Sequence, residues 1–296
     1  MKKNICQTLF EEERALFGAR DLALTGCVFE TGESPLKESR DIKLSETIFR
    51  GKYPLWYAGS VGAENVTLCE GARAGIWYTK DLTMRNALIQ APKTFRRCDG
   101  LTLENVTMTN AEETLWHCRN VNMKDVVARG HYFAMNVSDV TIDGFSLDGN
   151  YAFDGARNVT VRNARMLTKD AFWNCESVTV YDSFISGEYL GWNSKNLRFV
   201  NCTVESLQGL CYIENLTMEN CRLIHTSLAF EYVKALNADV TTPIDSVLNP
   251  VSGTLCAPAI GDLILEPDRI DPAGTEIIAD RIGTRADKLD WKKVKL

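Results

Sequence analysis

Residues 101–108 read Leu-Thr-Leu-Glu-Asn-Val-Thr-Met, and variants of this octet return along most of the chain. Its first and third positions are apolar, and its sixth and eighth are apolar or small. Because side chains two apart share one face of a strand, the octet predicts two short strands. The fifth position joins them as a corner, where Asn, Asp and Gly adopt a left-handed backbone at low cost. The corner residues are Asn86, Asn105, Asp125, Gly144, Asn163, Asp182, Asn201 and Asn220.

The octet recurs with a nearly constant period. From Leu101 to Leu216 its first position advances by 20, 19, 19, 19, 19 and 19 residues. A further apolar pair before each octet predicts a third strand in every turn. Three strands in a turn of this length favour a parallel β-helix over a leucine-rich repeat, whose asparagine lies further from its Leu-x-Leu pair. The first positions are Leu22, Ile42, Val66, Leu82, Leu101, Val121, Val140, Val159, Val178, Leu197, Leu216 and Leu236.

We therefore expect an all-β chain folded as a single-stranded parallel β-helix, a solenoid of about 11–12 turns with about 19 residues per turn. One domain is expected to cover residues 1–296. Residues 1–20 are interpreted as a short N-terminal cap, in which Thr8–Phe17 forms a short amphipathic helix or an irregular segment. Regular turns are expected over 21–235, and irregular final turns, a cap and a polar tail over 236–296.

Composition narrows the setting of this protein. A net charge of -6 provides no broad basic field, so neither nucleic acid nor an anionic membrane is expected as a partner. No apolar run follows Met1-Lys2-Lys3, so no signal peptide is predicted, and a cytoplasmic location is expected. The 10 cysteines are therefore expected to be reduced, and most of them are expected to pack in the core. No Cys-x-x-Cys spacing or histidine triad is present, so no metal and no cofactor are predicted.

The third strand is where the repeat becomes irregular. A bare scaffold could fill its outward positions with small polar residues, whereas this chain places aromatic, amide and charged residues there. Tyr and Trp rings can stack on sugar rings, and Lys or Arg can hold an acidic group on a sugar. We interpret this face as a ligand-binding surface. The candidate binding residues are Trp77, Arg96, Trp116, Tyr132, Asn150, Lys169, Trp173, Asn174, Tyr189, Trp192 and Asn193.

Three carboxylates on this face are candidates for catalysis. Asp154, Asp170 and Glu188 come from successive turns, so they are expected to lie one or two strand spacings apart. Paired carboxylates at such spacings serve as acid and as nucleophile or base in glycoside chemistry. The alternative is structural, because Lys169 with Glu188 or Asp170 would form an ion pair between turns.

Several segments on this face resemble a known family. The chain is similar to an uncharacterised group of bacterial proteins assigned to the right-handed β-helix, pectin-lyase-like superfamily. The resemblance implies the right-handed sense of the coil, and it implies no mechanism, because no activity is assigned to that group. The segments are Gly32–Ser39, Tyr53–Tyr57, Ala72–Tyr78, Lys169–Asn174 and Gly187–Ser194.

Two functions of different classes follow from these observations. The first is a carbohydrate-binding or carbohydrate-processing protein that uses the third-strand face for an oligo- or polysaccharide. Whether it is an enzyme stays open; if it is, a glycoside hydrolase or polysaccharide lyase-like activity is expected. The second is a non-catalytic scaffold whose aromatic stripe binds another protein or a second copy, which would make the protein a homo-oligomer.

Overall fold

The computed structural model describes residues 3–292. Within them the chain is all-β except for one short 3-10 helix, Glu70–Ala72. It divides after Gly149 into two compact units, and each is described by itself. In both units parallel strands stack turn upon turn, so the parallel β-helix prediction is confirmed.

The first unit contains twelve strands, named here in chain order. They are β1 (Lys3–Cys6), β2 (Leu9–Phe10), β3 (Arg20–Thr25), β4 (Val28–Phe29), β5 (Arg40–Ser45), β6 (Ile48–Phe49), β7 (Gly59–Glu64), β8 (Thr67–Leu68), β9 (Lys80–Ile89), β10 (Asp99–Met108), β11 (Arg119–Arg129) and β12 (Ser138–Asp148). In the later turns the two predicted short strands run together as one long bent strand.

The second unit contains the remaining strands. They are β13 (Arg157–Leu167), β14 (Asp170–Ala171), β15 (Glu176–Tyr181), β16 (Phe184–Leu190), β17 (Lys195–Val200), β18 (Thr203–Gln208), β19 (Glu214–Ile224), β20 (Lys234–Val240), β21 (Ile244–Leu248), β22 (Gly253–Ile264) and β23 (Thr275–Ala286).

Strand register places equivalent positions of successive turns side by side. Leu101 of β10 pairs with Leu82 on one side and with Val121 on the other. Such columns build a continuous core of apolar side chains. The rings of Phe29 and Phe49, for example, stack with their centroids 4.8 Å apart. Stacked columns let every turn bury its apolar face against its neighbours, which no single turn could do alone.

The corners follow the prediction. All eight predicted residues have positive φ, including Asn86 at 51° and Asn105 at 52°. The Asn105 amide also donates a 2.8 Å hydrogen bond to the Asn86 side-chain oxygen one turn earlier. A second column of left-handed residues directly precedes the first strand position, and it was not predicted. It contains Asp21, Asp41, Ser60, Asp81, Gly100, Asn120, Asp139, Asn158, Ser177, Asn196, Asn215 and Ala235.

One predicted register is wrong. The sequence pattern predicts Val66 as the first strand position of its turn, whereas Val61 pairs with Ile42 and with Leu82. Val66 lies just before the second strand, β8 (Thr67–Leu68), in which Leu68 pairs with Phe49. The first strand of this turn, Gly-Ser-Val-Gly-Ala-Glu, is too rich in small residues to produce a strong apolar signal.

The coil is longer than predicted at both ends. Residues 3–292 form about 15 turns, against the 11–12 expected. At the N-terminal side, β1 and β2 pair in parallel with β3 and β4, so the expected cap or helix over Thr8–Phe17 is part of a further turn. At the C-terminal side, β22 and β23 form two further turns within residues 236–296. The end of the predicted polar tail, residues 293–296, lies outside the described residues.

Candidate functional site

The third segment of each turn differs from its prediction as a strand. In most repeats of the coil this segment is not a strand. It has an irregular backbone in which every second residue is left-handed, as at Tyr53, Leu55 and Tyr57. Its amides bond alternately to the two neighbouring turns: Leu55 N donates to Pro35 O and Tyr57 N donates to Trp77 O, each at 2.9 Å. Equivalent side chains therefore still stack in columns along this face.

In the first unit Trp56, Trp77, Arg96 and Trp116 occupy one such column. The rings of Trp56 and Trp77 are nearly parallel, with centroids 5.0 Å apart and an interplanar angle of 8°. The Arg96 guanidinium lies 4.5 Å from the ring centroids of both Trp77 and Trp116. The indole faces of Trp77 are therefore covered by other side chains and are not open platforms for a sugar.

The indole N–H groups in this column are also used within the protein. Trp77 Nε1 donates a 2.7 Å hydrogen bond to Lys93 O, and Trp116 Nε1 donates one of the same length to Tyr132 O. Each tryptophan thus bonds to the backbone of the following turn. Tyr132 itself is exposed. These contacts give the column a structural role in the first unit.

Arg96 forms an ion pair in addition to its contacts with the two indole rings. Its guanidinium forms a 3.1 Å ion pair with Glu113, whose other oxygen lies 3.2 Å from Lys93 Nζ. Arg96 Nε is buried and has no hydrogen-bond partner in the described residues. An arginine stacked between two indoles and paired with a carboxylate has little freedom left to bind a ligand.

In the second unit the three candidate catalytic carboxylates have separate environments. Asp154 accepts a 2.8 Å hydrogen bond from the Asn174 amide. Glu188 forms an ion pair with Lys169, with Nζ and Oε2 3.5 Å apart, as the structural alternative predicted. Asp170 is only 2% exposed. Their catalytic roles stay a prediction.

Asp170 is the most unusual of the three. Its Oδ1 is buried without a hydrogen-bond partner in the described residues. Burial raises the pKa of this carboxyl above its ordinary value, and the neighbouring Glu188 charge adds to the rise against the effect of Lys169. Burial and Glu188 also raise the pKa of the Tyr189 hydroxyl. Asp170 and Tyr189 are direct partners in the strand register.

The other predicted residues of this unit form ladders from turn to turn. Asn150 Oδ1 accepts a 2.8 Å hydrogen bond from the Lys169 backbone N–H. Asn193 donates its amide to Asn174 Oδ1 at 2.9 Å. Trp173 Nε1 donates to Tyr189 O at 3.1 Å, and its ring lies 6.0 Å from that of Trp192. Most polar groups predicted to bind a ligand are thus engaged between turns.

An open cavity of about 630 Å³ lies further along the second unit, and we call it the tyrosine groove. It is formed where the loop after β22, residues 265–274, passes the segments before β17, β19 and β20. Its polar and aromatic lining includes Asn193, Lys195, Tyr212, Glu214, Tyr232, Lys234, Arg269 and Asp271.

A row of aromatic rings leads into the tyrosine groove. Trp192 and Tyr212 stack with centroids 4.4 Å apart, and Tyr212 and Tyr232 lie 5.2 Å apart at an angle of 56°. Tyr212 N donates to Glu231 O, and Tyr232 N donates likewise to Asn249 O, so Pro250 follows Tyr232 in this column and the row of rings ends at Tyr232. Tyr212 remains 37% exposed. Here, unlike in the first unit, aromatic rings border a cavity.

The cations of the tyrosine groove are held to different degrees. Arg269 Nε lies 3.1 Å from Glu266 Oε2, and Arg269 Nη1 donates to the Tyr232 hydroxyl at 3.2 Å. Glu266 is itself buried and accepts a 2.8 Å hydrogen bond from the Asn249 amide. Lys195 pairs with Glu214 at 3.1 Å. Lys234 forms no ion pair within residues 3–292, so its ammonium group is available to an anion.

The sequence predicted only one lining residue of the tyrosine groove, Asn193. Tyr212 and Tyr232 occupy the same position of their turns as Asn174 and Asn193, so their column was a signal that could have identified them. Arg269 carries no such signal. It lies in the irregular loop after β22, and only folding brings that loop onto the face.

Two further findings concern membranes and metals. None of the helical structure in residues 3–292 has the length and apolar character of a membrane-spanning helix. In the same part of the chain, no cluster of three or more His, Cys, Asp or Glu side chains is arranged to hold a metal.

The fold defines a protein of the parallel β-helix class. The chain belongs to the family described as Protein of unknown function (DUF3737), whose model matches residues 3–278. No curated protein matches the chain.

Solved structures with a similar course of the chain come from several sources. PfbA, a surface adhesin of Streptococcus pneumoniae, is 8% identical, with 93% of this chain and 86% of that chain covered and a TM-score of 0.43. A mutant tailspike protein of E. coli bacteriophage HK620, in complex with a pentasaccharide, is 8% identical, with 97% and 72% covered and a TM-score of 0.43. The A-module of an Azotobacter vinelandii mannuronan C-5 epimerase is 12% identical, with 98% and 90% covered and a TM-score of 0.37. These are likenesses to this chain, and its function has to be argued from its own residues.

Proposed function

We propose that this protein binds an oligo- or polysaccharide carrying acidic groups in the tyrosine groove. The observation that carries the proposal is the meeting of an aromatic row, an amide and a cation without an ion-pair partner in one open cavity. Ligand sites combine apolar and aromatic walls with a few polar groups that fix orientation. The tryptophans of the first unit do not support it, because both faces of the Trp77 indole are covered by other side chains.

Each lining group matches one feature of such a ligand. The rings of Tyr212 and Tyr232 offer apolar surface to the C–H face of a sugar, and the Asn193 amide offers a donor and an acceptor to hydroxyls. Lys234 supplies a positive charge for a carboxylate or sulfate. Arg269 is preoriented by Glu266 and the Tyr232 hydroxyl, which lowers the entropic cost of forming a further charge-assisted hydrogen bond.

The test compares acidic and neutral oligosaccharides of equal length by isothermal titration calorimetry and on a glycan array. We expect acidic chains to bind and Tyr232→Ala to weaken that binding about tenfold or more, since stacked rings dominate such contacts. Lys234→Gln should weaken acidic chains selectively. Lys80→Gln is the matched control, because Lys80 occupies the same position of a turn outside the groove. If no acidic chain binds, or if Tyr232→Ala changes nothing, the proposal is wrong.

Binding is proposed without a catalytic step. Asp154 and Glu188 are engaged with Asn174 and Lys169, and neither they nor Asp170 lines the tyrosine groove. The alternative, a hydrolase or lyase activity, is tested by replacing the three carboxylates. If an identified hydrolytic activity were lost in Asp154→Asn, Asp170→Asn or Glu188→Gln while binding survived, the protein would be an enzyme.

The scaffold function is the second candidate, and one observation favours it. In the first unit the Trp77 ring lies between Trp56 and Arg96, the Trp116 ring contacts Arg96, and both indole N–H groups donate hydrogen bonds within the coil, as in a structural column. If instead the aromatic residues of the second unit, Trp173 and Trp192 among them, join two copies of the chain, the dimer would shield these two side chains from solvent. Light scattering combined with acrylamide quenching of tryptophan fluorescence distinguishes this arrangement from a monomer that binds glycans.

A further inference from the structure

We propose that β23 is a self-association surface through which two copies of this chain pair, strand against strand, about a two-fold axis. The surface is the outer edge of β23, Thr275–Ala286, which we call the terminal edge. It is separate from the aromatic stripe and from the tyrosine groove, and the proposal does not depend on carbohydrate binding.

The terminal edge carries unused backbone hydrogen-bonding groups. β23 is 12 residues long and pairs with β22 along its whole length, from Gly253↔Thr275 to Ile264↔Ala286. Within residues 3–292 it pairs with no other strand. The amides and carbonyls that point away from β22 therefore form a long row of donors and acceptors. Such an edge is a template for pairing with another chain.

The core is also incompletely covered at this end. Leu255 and Ile260 of β22 are 0% and 1% exposed. Their register partners in β23, Ile277 and Ile282, are only partly buried. Ala279, the partner of the buried Ala257, is also only partly buried. Covering these side chains would extend the hydrophobic core by one more layer and would stabilise the assembly.

Charge points to a second copy as the occupant. The first half of β23 carries Glu276 and Asp280, and the second half carries Arg281 and Arg285. All four side chains are exposed, and none forms an ion pair within residues 3–292. A two-fold axis that reverses the strand direction places the acidic half of each copy on the basic half of the other. The same patch is then complementary to itself, as an isologous dimer requires.

A head-to-tail arrangement fits less well. It would place β23 against β1 of the next copy, and β1 has only 4 residues to offer to a 12-residue edge. Most of the terminal edge would remain unpaired. A head-to-tail contact would also continue into filaments, because its two surfaces differ. The two arrangements therefore predict different particle sizes.

Charge reversal tests the arrangement with the full chain. Sedimentation velocity and light scattering should give a concentration-dependent species of twice the 33.1 kDa mass of one chain. Arg281→Glu with Arg285→Glu makes both halves acidic and should raise the dissociation constant of the dimer about tenfold or more. Adding Glu276→Arg and Asp280→Arg restores complementarity and should restore the dimer. This four-residue swap shows that any loss is electrostatic and not a folding defect.

Each outcome bears on the proposal. Dimers that dissociate in the two-residue variant and return in the four-residue variant support it. A wild-type chain that stays monomeric at all concentrations overturns it, and so does a filament or a dimer that the reversal leaves unchanged. A dimer that is disrupted by Trp192→Ala and not by charge reversal would place the interface on the aromatic stripe and would also overturn it.

Discussion

The guanidinium of Arg96 lies 4.5 Å from the centroid of the Trp77 ring. The opposite face of this guanidinium meets Trp116 at the same distance, and Glu113 holds its edge. Cation–π contacts of partly buried groups contribute about 1–2 kcal/mol each. The column is therefore an internal support of the first unit.

Replacing Arg96 tests that support. Arg96→Ala should lower the free energy of unfolding by about 2 kcal/mol, because two ring contacts and one ion pair are lost. The measurement is urea unfolding followed by tryptophan fluorescence and circular dichroism. Arg97→Ala is the matched control, since Arg97 is the next residue and is exposed. An unchanged midpoint for Arg96→Ala would show that the column does not stabilise the fold.

The buried carboxyl of Asp170 predicts a pH-dependent stability. Burial raises its pKa in the folded state, so folding favours the protonated form. The stability that Asp170 contributes is present below the pKa of the unfolded chain and is lost as pH rises through the folded pKa. Asp170→Asn should therefore raise the urea midpoint at pH 7, and the advantage should shrink in acid.

A matched control for Asp170 is Asp245→Asn, which neutralises an exposed carboxylate. Its stability relative to the parent chain should change little with pH over the same range. If Asp170→Asn destabilises the protein equally at every pH, the carboxylate is held by a polar contact and burial does not dominate.

An added methyl group is expected to destabilise the protein at one glycine and to have little effect at another. A Cβ on Gly51 would lie 2.2 Å from the carbonyl oxygen of Gly32 in the preceding turn, so the backbone would have to move. Gly51→Ala should cost about 2 kcal/mol or more. A Cβ on Gly62 meets nothing within 4 Å, and Gly62→Ala should stay within about 0.5 kcal/mol of the parent. Thermal unfolding of the two variants side by side is the measurement, and equal effects would contradict the close stacking of these turns.

Cysteine reactivity should follow burial. Burial raises the pKa of the Cys175 and Cys211 thiols to about 12, so almost no thiolate exists at neutral pH. Cys6 is exposed. Brief treatment of the native protein with N-ethylmaleimide, followed by peptide mass spectrometry, should label Cys6 and spare Cys175 and Cys211. Labelling in urea should reach all of them, and rapid native labelling of Cys175 would show that the coil opens locally.

Local sequence signals predicted the repeat well. The first corner column was identified because Asn and Asp dominate it, and all of its members are left-handed. The second column carries the same signal, because nine of its twelve members are Asn, Asp or Gly, but the octet pattern does not include the residue before its first position. The other three members, Ser60, Ser177 and Ala235, carry no left-handed preference. There the hydrogen bonds between turns impose the backbone conformation against local propensity.

The candidate site was harder to predict. The sequence placed Trp77 and Trp116 on one face, but it could not show that Arg96 lies between them. For Lys169 it left two roles open, an anion site or an ion pair with Glu188 or Asp170, and the structure shows the ion pair with Glu188. The position of a residue in its column predicts which residues are its neighbours. Only the packed structure shows which side-chain faces are not covered by those neighbours.

The sequence by itself determined the coil: the period, the first corners and the apolar columns are local patterns that repeat because every turn meets the same environment. The tertiary structure decided which parts of the decorated face remain open. In the tertiary structure Arg96 lies between the rings of Trp77 and Trp116, and Arg269, from the loop after β22, hydrogen-bonds to Tyr232. Those contacts join residues from different turns or from an irregular loop. They depend on how the side chains of separate columns fill the space between them, so no periodic pattern in the sequence predicts them.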